Sequence, residues 1–221
     1  MTEIEKSYIA DLINRYPRLA PIEKDIFNAY ALIRDCYKNG GKLLVAGNGG
    51  SAADSEHIVG ELMKSFECPR PISSEVKNKL VQIDPVMGSE LADSLEDGLP
   101  AIALTTHEAL TTAYSNDVNG VMGIAQQLNG YGKEGDVFLG ISTSGNSKNI
   151  LYAAALAKAK NIRIVGLSGR NGGGLKLFSD VSVIVPENKT FMIQEYHLPI
   201  YHCWCRMLEE HFWAFDKKTE V

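Results

Sequence analysis

Five short apolar runs recur along the chain, and they constrain its fold more than any other feature. Helix-like sequence separates each run from the next. Such runs are typical of strands buried on both faces of a parallel sheet, because the crossover helices cover those faces. We therefore expect an α/β fold built on a parallel sheet. The predicted strands are residues 42–46, 101–106, 137–142, 162–168 and 181–185.

Helical periodicity surrounds these strands. It covers residues 2–15 and 22–38 at the start of the chain and 191–214 at its end. The length of 221 residues suits one domain, here residues 1–221, with N-terminal helices within 1–40.

Residues 67–100 resist this scheme. They carry four prolines and no strong period. The segment is either a partly helical insertion or a long functional loop.

Composition and charge exclude some functions. A net charge of −5 argues against nucleic-acid binding through a general basic field. The first twenty residues lack the apolar core of a signal peptide, and no apolar run approaches bilayer length. We expect a cytoplasmic protein with no membrane or nucleic-acid partner. The four cysteines show no CxxC spacing and are predicted to be reduced thiols.

Two loops of small residues follow predicted strands and precede predicted helices. Free N–H groups and the helix dipole favour an anion at such a position. The alternative is a pair of tight turns with ordinary helix caps. Two such loops in one sheet favour an anion site, and the hydroxyls of the second suit a phosphate monoester. The first loop contains Asn48, Gly49, Gly50 and Ser51, and the second contains Ser142, Thr143, Ser144 and Ser147.

Acid, base and metal candidates lie on two predicted helices. His57 and Glu61 are four residues apart, which places them about 40° apart on one face. Such a pair can bind a divalent metal or supply a base, although a plain surface ion pair is the alternative. Gln194 and His202 lie about 80° apart and can share a broad face. His197 lies about 140° from His202 and is predicted to be structural.

Four stretches of the sequence resemble those of a known family. The stretches GNGGSAADSEHIVGEL, SNDVNG, EGDVFLGISTSGNSKN and IQEYHLPIYH together resemble the sugar isomerase (SIS) domain. Within it they look most like the phosphoheptose isomerases, also called sedoheptulose 7-phosphate isomerases. The resemblance implies a three-layer, flavodoxin-like SIS fold with a five-stranded parallel sheet flanked by helices. It also implies a homotetramer whose sites lie between subunits.

The resemblance also implies which residues form the site. It implies that substrate contacts Asn48, Gly49, Gly50, Ser51, Glu61, Asn116, Asp117 and Gln194. The phosphate would be held by Ser142, Thr143, Ser144 and Ser147. A zinc ion would be bound by His57, Glu61, Gln194 and His202.

The implied reaction converts a ketose phosphate into an aldose phosphate through an enediol. It needs a base, an acid and stabilisation of an oxyanion. We assign Glu61 as the base and His202 as the acid. The favoured substrate is sedoheptulose 7-phosphate, which would give D-glycero-D-manno-heptose 7-phosphate.

Departures from the family keep two alternatives open. Ser65 stands where the family commonly has arginine, and Phe191 where it often has aspartate. The 67–100 segment replaces a shorter connection. One alternative is an isomerase for a different sugar phosphate. The other is a non-catalytic SIS protein that binds a protein partner, like the DnaA initiator-associating proteins. The joint presence of Glu61, Gln194 and His202 favours an enzyme.

Overall fold

The five apolar runs form one parallel sheet in the computed structural model, which describes residues 2–213. All four neighbouring strand pairs are parallel, in the order β2-β1-β3-β4-β5. This is the flavodoxin-like order, so the predicted fold class is confirmed. The strands are Leu43–Ala46 (β1), Ala101–Ala103 (β2), Val137–Ser142 (β3), Arg163–Ser168 (β4) and Val181–Ile184 (β5).

Strand β2 is shorter than predicted. The sequence predicts a strand over 101–106, but the chain leaves the sheet after Ala103. The Thr106 hydroxyl donates a hydrogen bond to the Ala103 carbonyl (3.2 Å) and turns the backbone away. Because β2 is an edge strand with one neighbour, few ladder bonds oppose this turn.

Ten α-helices connect or precede the strands within the described residues. The turns between them include the 3₁₀ segment Pro17–Ile22 and the π-helical turn Ser115–Asn119. The helices are Glu3–Arg15 (α1), Glu23–Lys38 (α2), Gly50–Met63 (α3), Ser74–Ile83 (α4), Pro85–Ser94 (α5), Glu108–Tyr114 (α6), Gly123–Tyr131 (α7), Lys148–Ala159 (α8), Leu175–Phe178 (α9) and Thr190–Trp213 (α10).

Each face of the sheet packs on its own layer of helices. Alternate strand residues point to opposite faces, so Leu43 and Val45 enter one core while Leu44 and Ala46 enter the other. The first core is covered by α1, α2, α3 and α10, and the second by α7, α8 and α9. Two separate apolar cores on one sheet confirm the three-layer architecture.

The long helix α10 crosses the first core and brings polar residues to the sheet edge. It runs from Thr190 to Trp213 with Pro199 inside it, so the prediction over 191–214 is matched up to the last described residue. His197 is fully buried, and its Nε2 lies 3.3 Å from the Ser168 carbonyl oxygen. His197 and His202 thus serve different neighbours, as their angular separation predicts. Among residues 2–213, no helix is long and apolar enough to span a bilayer.

The segment 67–100 is partly helical, so it is an insertion with helices of its own and not a long loop. It contains α4 and α5, which pack on each other as a helical hairpin. Helix α4 has no buried residue. Large apolar side chains stand exposed on the two helices and just after them, at Val76, Val81, Ile83, Val86, Met87, Leu91 and Leu95.

A buried ion pair anchors the chain between α3 and this hairpin. Arg70 and Glu209 are 0% and 1% exposed, and their Nε and Oε1 atoms lie 2.8 Å apart. The Glu209 carboxylate also accepts the backbone N–H groups of residues 66, 67 and 68. The Arg70 guanidinium donates to the carbonyls of Glu61 and Leu62 at the end of α3. Helix α10 thereby fixes the end of the helix that carries Glu61.

Candidate active site

The two small-residue loops meet at the carboxyl edge of the sheet. They follow β1 and β3, which are adjacent strands although β2 lies between them in the sequence. The chain leaves β1 toward one side and β3 toward the other, which opens a crevice where ligands bind in such sheets. The side-chain amides of Asn48 and Asn149 join the loops through two reciprocal hydrogen bonds of 3.0 and 2.8 Å.

The first loop is shaped by glycine. Gly49 has φ 56° and ψ −122°, a conformation that residues with a side chain rarely adopt. Helix α3 begins at the next residue, which places its positive N-terminal end at this loop. A Cβ on Gly50 would lie 2.5 Å from Nε2 of Gln194. The first loop therefore lies directly against α10, and Gln194 is brought to it.

The second loop is a compact turn of small residues. The Ser142 and Ser147 hydroxyls lie 2.9 Å apart across it. Gly145 has φ 68°, and a Cβ there would lie 1.9 Å from the Gly172 carbonyl oxygen. Thr143 and Ser144 are half-exposed at the same turn. The loop combines hydroxyl donors with the N-terminus of α8, which is an arrangement that can bind an anion.

His57 stands at the centre of a polar cluster between α3 and α10. Its Nε2 lies 3.1 Å from Glu61 Oε1 and 3.4 Å from His202 Nε2. The first distance confirms that His57 and Glu61 share one helix face. Phe66 packs on the His202 ring with centroids 5.3 Å apart. The predicted acid, base and one further metal candidate are therefore brought together.

Two residues that the sequence analysis missed complete this cluster. The Tyr201 hydroxyl lies 3.1 Å from Asp54 Oδ1 and 3.1 Å from His57 Nδ1. Asp54 precedes His57 by three residues, so the i,i+3 spacing was a signal for it. Tyr201 neighbours His202 in the sequence, but only the packing of α10 on α3 directs it to His57.

Two carboxylate oxygens in the cluster are buried without a hydrogen-bond partner. They are Glu61 Oε2 and Asp54 Oδ2. The Lys64 ammonium is 3.6 Å from Glu61 Oε2, which is an ion-pair distance beyond hydrogen-bonding reach. Burial raises the pKa of Asp54, while the Tyr201 hydroxyl and His57 oppose that shift. Such oxygens are costly to bury unless a ligand, water or cation meets them.

Burial also lowers the pKa of His202, and the neighbouring His57 adds to that shift. The neutral imidazole of His202 is therefore favoured near pH 7.

The donor types of the cluster, imidazole and carboxylate, are ones that bind zinc in proteins. Bonds of 2.0–2.2 Å in a tetrahedral zinc site place neighbouring ligand atoms about 3.3 Å apart. The separations of 3.1 and 3.4 Å around His57 Nε2 agree with that value. However, within residues 2–213 no three His, Cys, Asp or Glu side chains form a ready metal-binding group. Gln194 contacts the first loop, and no described hydrogen bond joins it to His57.

Some predicted residues lie apart from the cluster. Asn116 and Asp117 are exposed on the π-helical turn after α6, and their side chains bond each other at 2.8 Å. No described hydrogen bond connects this pair to the loops. Phe191 is 58% exposed near the start of α10. The Ser65 N–H donates to the Glu96 carboxylate, which holds the chain just after α3.

The fold and the paired loops define an α/β protein with an anion-type crevice at the carboxyl ends of its strands, and a family model matches most of the chain. The model described as SIS domain matches residues 7–82 and 88–169. Between these two stretches the match omits 83–87, at the junction of α4 and α5.

Named relatives identify one family within the SIS domain proteins. The phosphoheptose isomerase of Aneurinibacillus thermoaerophilus is 41% identical over 80% of this chain and 76% of its own length. Phosphoheptose isomerase 2 of Campylobacter jejuni is 42% identical over 84% and 79%. The structure of the phosphoheptose isomerase from Neisseria gonorrhoeae superposes with a TM-score of 0.71 at 29% identity, covering 93% of this chain and 96% of that one. The chain belongs to the phosphoheptose isomerase family of SIS domain proteins.

Proposed function

We propose that the protein interconverts sedoheptulose 7-phosphate and D-glycero-D-manno-heptose 7-phosphate. One observation carries the proposal: a buried Glu61 oxygen without a hydrogen-bond partner lies within the His57–His202 cluster. A partly buried carboxylate of this kind can accept a proton from carbon. The crevice between two anion-type loops accounts for the phosphate of the sugar.

The chemistry follows from the residues. Glu61 removes a proton from C1 of the ketose while neutral His202 gives its ring N–H proton to the carbonyl oxygen on C2. The resulting enediol then loses the hydroxyl proton on C1 to the same ring nitrogen of His202. Glu61 returns its proton to C2, which leaves an aldehyde at C1. Both groups end as they began, so the cycle balances.

The remaining contacts are assigned to the loops. Ser142, Thr143, Ser144 and Ser147 hold the phosphate in this proposal, supported by their convergence at the start of α8. The sugar hydroxyls would contact Asn48, Gly49, Gly50, Ser51, Asn116, Asp117 and Gln194.

We further propose that His57, Glu61, Gln194 and His202 hold a zinc ion. The ligand-like spacing around His57 Nε2 supports three of these residues. When bound, zinc would polarise the sugar carbonyl as a Lewis acid. Gln194 would have to turn from the first loop toward His57 to join the set.

A panel of sugars tests the proposed activity. The metal-supplemented protein is incubated with sedoheptulose 7-phosphate, other ketose phosphates and unphosphorylated sedoheptulose, and aldose formation is followed. We expect the highest kcat/KM with sedoheptulose 7-phosphate and little turnover without the phosphate. Because Ser65 and Phe191 depart from the family, the panel also tests a different sugar phosphate. Turnover of only another ketose phosphate would replace the proposed substrate.

Replacing Ser147 by alanine tests the phosphate loop. A hydrogen bond to a charged group is worth about 1.5–3 kcal/mol. We expect KM for the sugar phosphate to rise about 10- to 100-fold with a small change in kcat, because this bond is made throughout the reaction. Ser7→Ala, on the exposed face of α1, is the control. An unchanged KM for Ser147→Ala would remove Ser147 from the phosphate site.

We also propose that the protein is a homotetramer with sites between subunits. The exposed apolar residues of the α4–α5 hairpin support self-association, because monomers rarely expose such extended patches. Light scattering after gel filtration should give four times the chain mass of 24.2 kDa. Ile83→Asp should reduce that mass, whereas Leu177→Asp, similarly exposed on α9, should not. A wild-type monomer would contradict the proposal.

A further inference from the structure

The loop after β4, residues 169–174, has no role in the proposed reaction and is here called the glycine loop. Strand β4 lies next to β3 in the sheet, so the glycine loop stands beside the second small-residue loop. It ends in three successive glycines, at 172–174. The reason for these small residues lies in what the glycine loop contacts.

The glycine loop occupies backbone carbonyls of the second loop. The Gly169 N–H donates to the Thr143 carbonyl at 3.1 Å, and the N–H of Leu175, just after the glycine loop, donates to the Gly145 carbonyl at 2.9 Å. The carbonyl between these two is occupied as well, by a side chain of the second loop itself. This matters for an anion, because carbonyl oxygens repel it whereas N–H and O–H groups attract it.

That side chain is Asn146, which uses both ends of its amide. Its Oδ1 accepts the Gly174 N–H at 2.9 Å, and its Nδ2 donates to the Ser144 carbonyl at 3.1 Å. A backbone N–H can only donate, so the atom facing Gly174 is the amide oxygen and the NH₂ group is left for Ser144. The Asn146 backbone N–H also donates to the Ser144 hydroxyl oxygen at 3.2 Å. Asn146 therefore fixes Ser144 at two atoms and ties it to the glycine loop.

Glycine at position 173 lets the two loops approach this closely. A Cβ there would lie 2.6 Å from the Ser144 carbonyl oxygen and 2.7 Å from Asn146 Oδ1. Gly173 also has φ 52°, which strains a residue with a side chain. Any larger residue at 173 would push the second loop away and stretch the bonds of Asn146.

The same hydrogen bonds determine which hydroxyl protons of the second loop are available. Because Ser144 Oγ accepts the Asn146 N–H, its own proton is left for another partner. The Ser142 and Ser147 hydroxyls share one hydrogen bond of 2.9 Å, which uses one of their two protons. Two hydroxyl donors therefore remain at this turn, and phosphate oxygens accept such donors.

We propose that Asn146 is a positioning residue that, with the glycine loop, holds the second loop so that the Ser144 hydroxyl donates to the substrate phosphate. Asn146 makes no contact with the phosphate in this proposal. The inference rests on the proposed function, because it takes the second loop to be the phosphate site. It adds a residue and a loop that act on the phosphate only through Ser144.

Inorganic phosphate is the probe that separates this inference from turnover. Its binding to Asn146→Ala and to the wild type is measured by ³¹P NMR titration, and kinetics with sedoheptulose 7-phosphate are measured on the same samples. We expect phosphate binding to weaken and KM to rise about 3- to 10-fold, the effect of one ordinary hydrogen bond, with kcat within a factor of about two. Asn129→Ala is the control, because this exposed asparagine of α7 lies outside the crevice and contacts Lys160. It should leave both quantities unchanged.

A double variant distinguishes positioning from a general loss of loop stability. In a Ser144→Ala background the hydroxyl that Asn146 orients is gone, so adding Asn146→Ala should weaken phosphate binding by less than about two-fold. A merely structural role would give the same loss in both backgrounds. Gly173→Ala gives an independent measurement, and we expect it to weaken phosphate binding at least as much as Asn146→Ala does.

Unchanged phosphate affinity and KM in Asn146→Ala would overturn the inference, and so would equal losses in the two backgrounds. Phosphate affinity that depends on Asn146, with no isomerase activity, would leave the inference standing and count against the proposed function. An active isomerase whose KM and phosphate affinity are unaffected by Asn146→Ala would do the opposite. A wild type that neither binds phosphate nor converts a sugar phosphate would overturn both.

Discussion

Glu61→Gln should lower kcat for ketose isomerisation by about 10²- to 10⁴-fold, the usual contribution of a positioned base. Glutamine keeps the shape of the side chain but cannot accept the C1 proton. The Glu61 side chain is 15% exposed, and its Oε2 is buried without a hydrogen bond, so water cannot readily replace it. Initial rates at saturating sugar, with zinc content measured in the same samples, separate loss of the base from loss of metal.

Glu56→Gln is the matched control for this variant. Glu56 lies on the same helix five residues earlier, about 140° around it from Glu61, and it is exposed. Its variant should keep kcat within a factor of about two, because surface changes usually cost little. If Glu61→Gln retained the rate of Glu56→Gln, another group would have to be the base.

Glu209→Gln should destabilise the fold by about 3–5 kcal/mol, the usual result of removing one partner from a buried ion pair. Arg70 would keep its charge at 0% exposure with no counterion, and its guanidinium stacks over Trp213 at 4.4 Å. The amide oxygen of glutamine can still accept hydrogen bonds from some of the backbone N–H groups that donate to Glu209 in the wild type. Denaturant unfolding at one fixed protein concentration measures the loss.

The exposed Glu195 on the same helix supplies the comparison. Glu195→Gln should change the free energy of unfolding by less than about 0.5 kcal/mol. Because Arg70 also bonds the carbonyls of Glu61 and Leu62, Glu209→Gln should lose activity at temperatures where it is still folded. A variant as stable as Glu195→Gln would show that the buried pair contributes little.

Much of the fold was predictable because its signals are local. Five apolar runs spaced by helical sequence specify a parallel sheet, and the structure confirms it. The end of β2 was not predictable, because it depends on a Thr106 hydroxyl bond at a sheet edge. The helical hairpin within 67–100 was left open because the segment carries four prolines and its two helices have only 10 residues each, which is short for a periodic pattern to be recognised.

The candidate site was predictable where residues share one helix. The spacing of His57 and Glu61 places both on one face, and the structure agrees. Contacts between residues on different helices could not be predicted from sequence spacing. The approach of Tyr201 to His57, and of Gln194 to Gly50, depends on how α10 crosses α3. The zinc ion, the tetramer and the cytoplasmic location stay predictions.

The most direct test of the account is the reaction itself, followed by NMR in D₂O. Metal-supplemented wild-type protein is mixed with sedoheptulose 7-phosphate, and the products are observed over time. The account predicts a heptose 7-phosphate aldose, and the deuterium content at C2 measures how often the proton on Glu61 exchanges with solvent before it returns to the sugar. An unchanged ketose phosphate after prolonged incubation with the folded, zinc-supplemented protein would contradict the account.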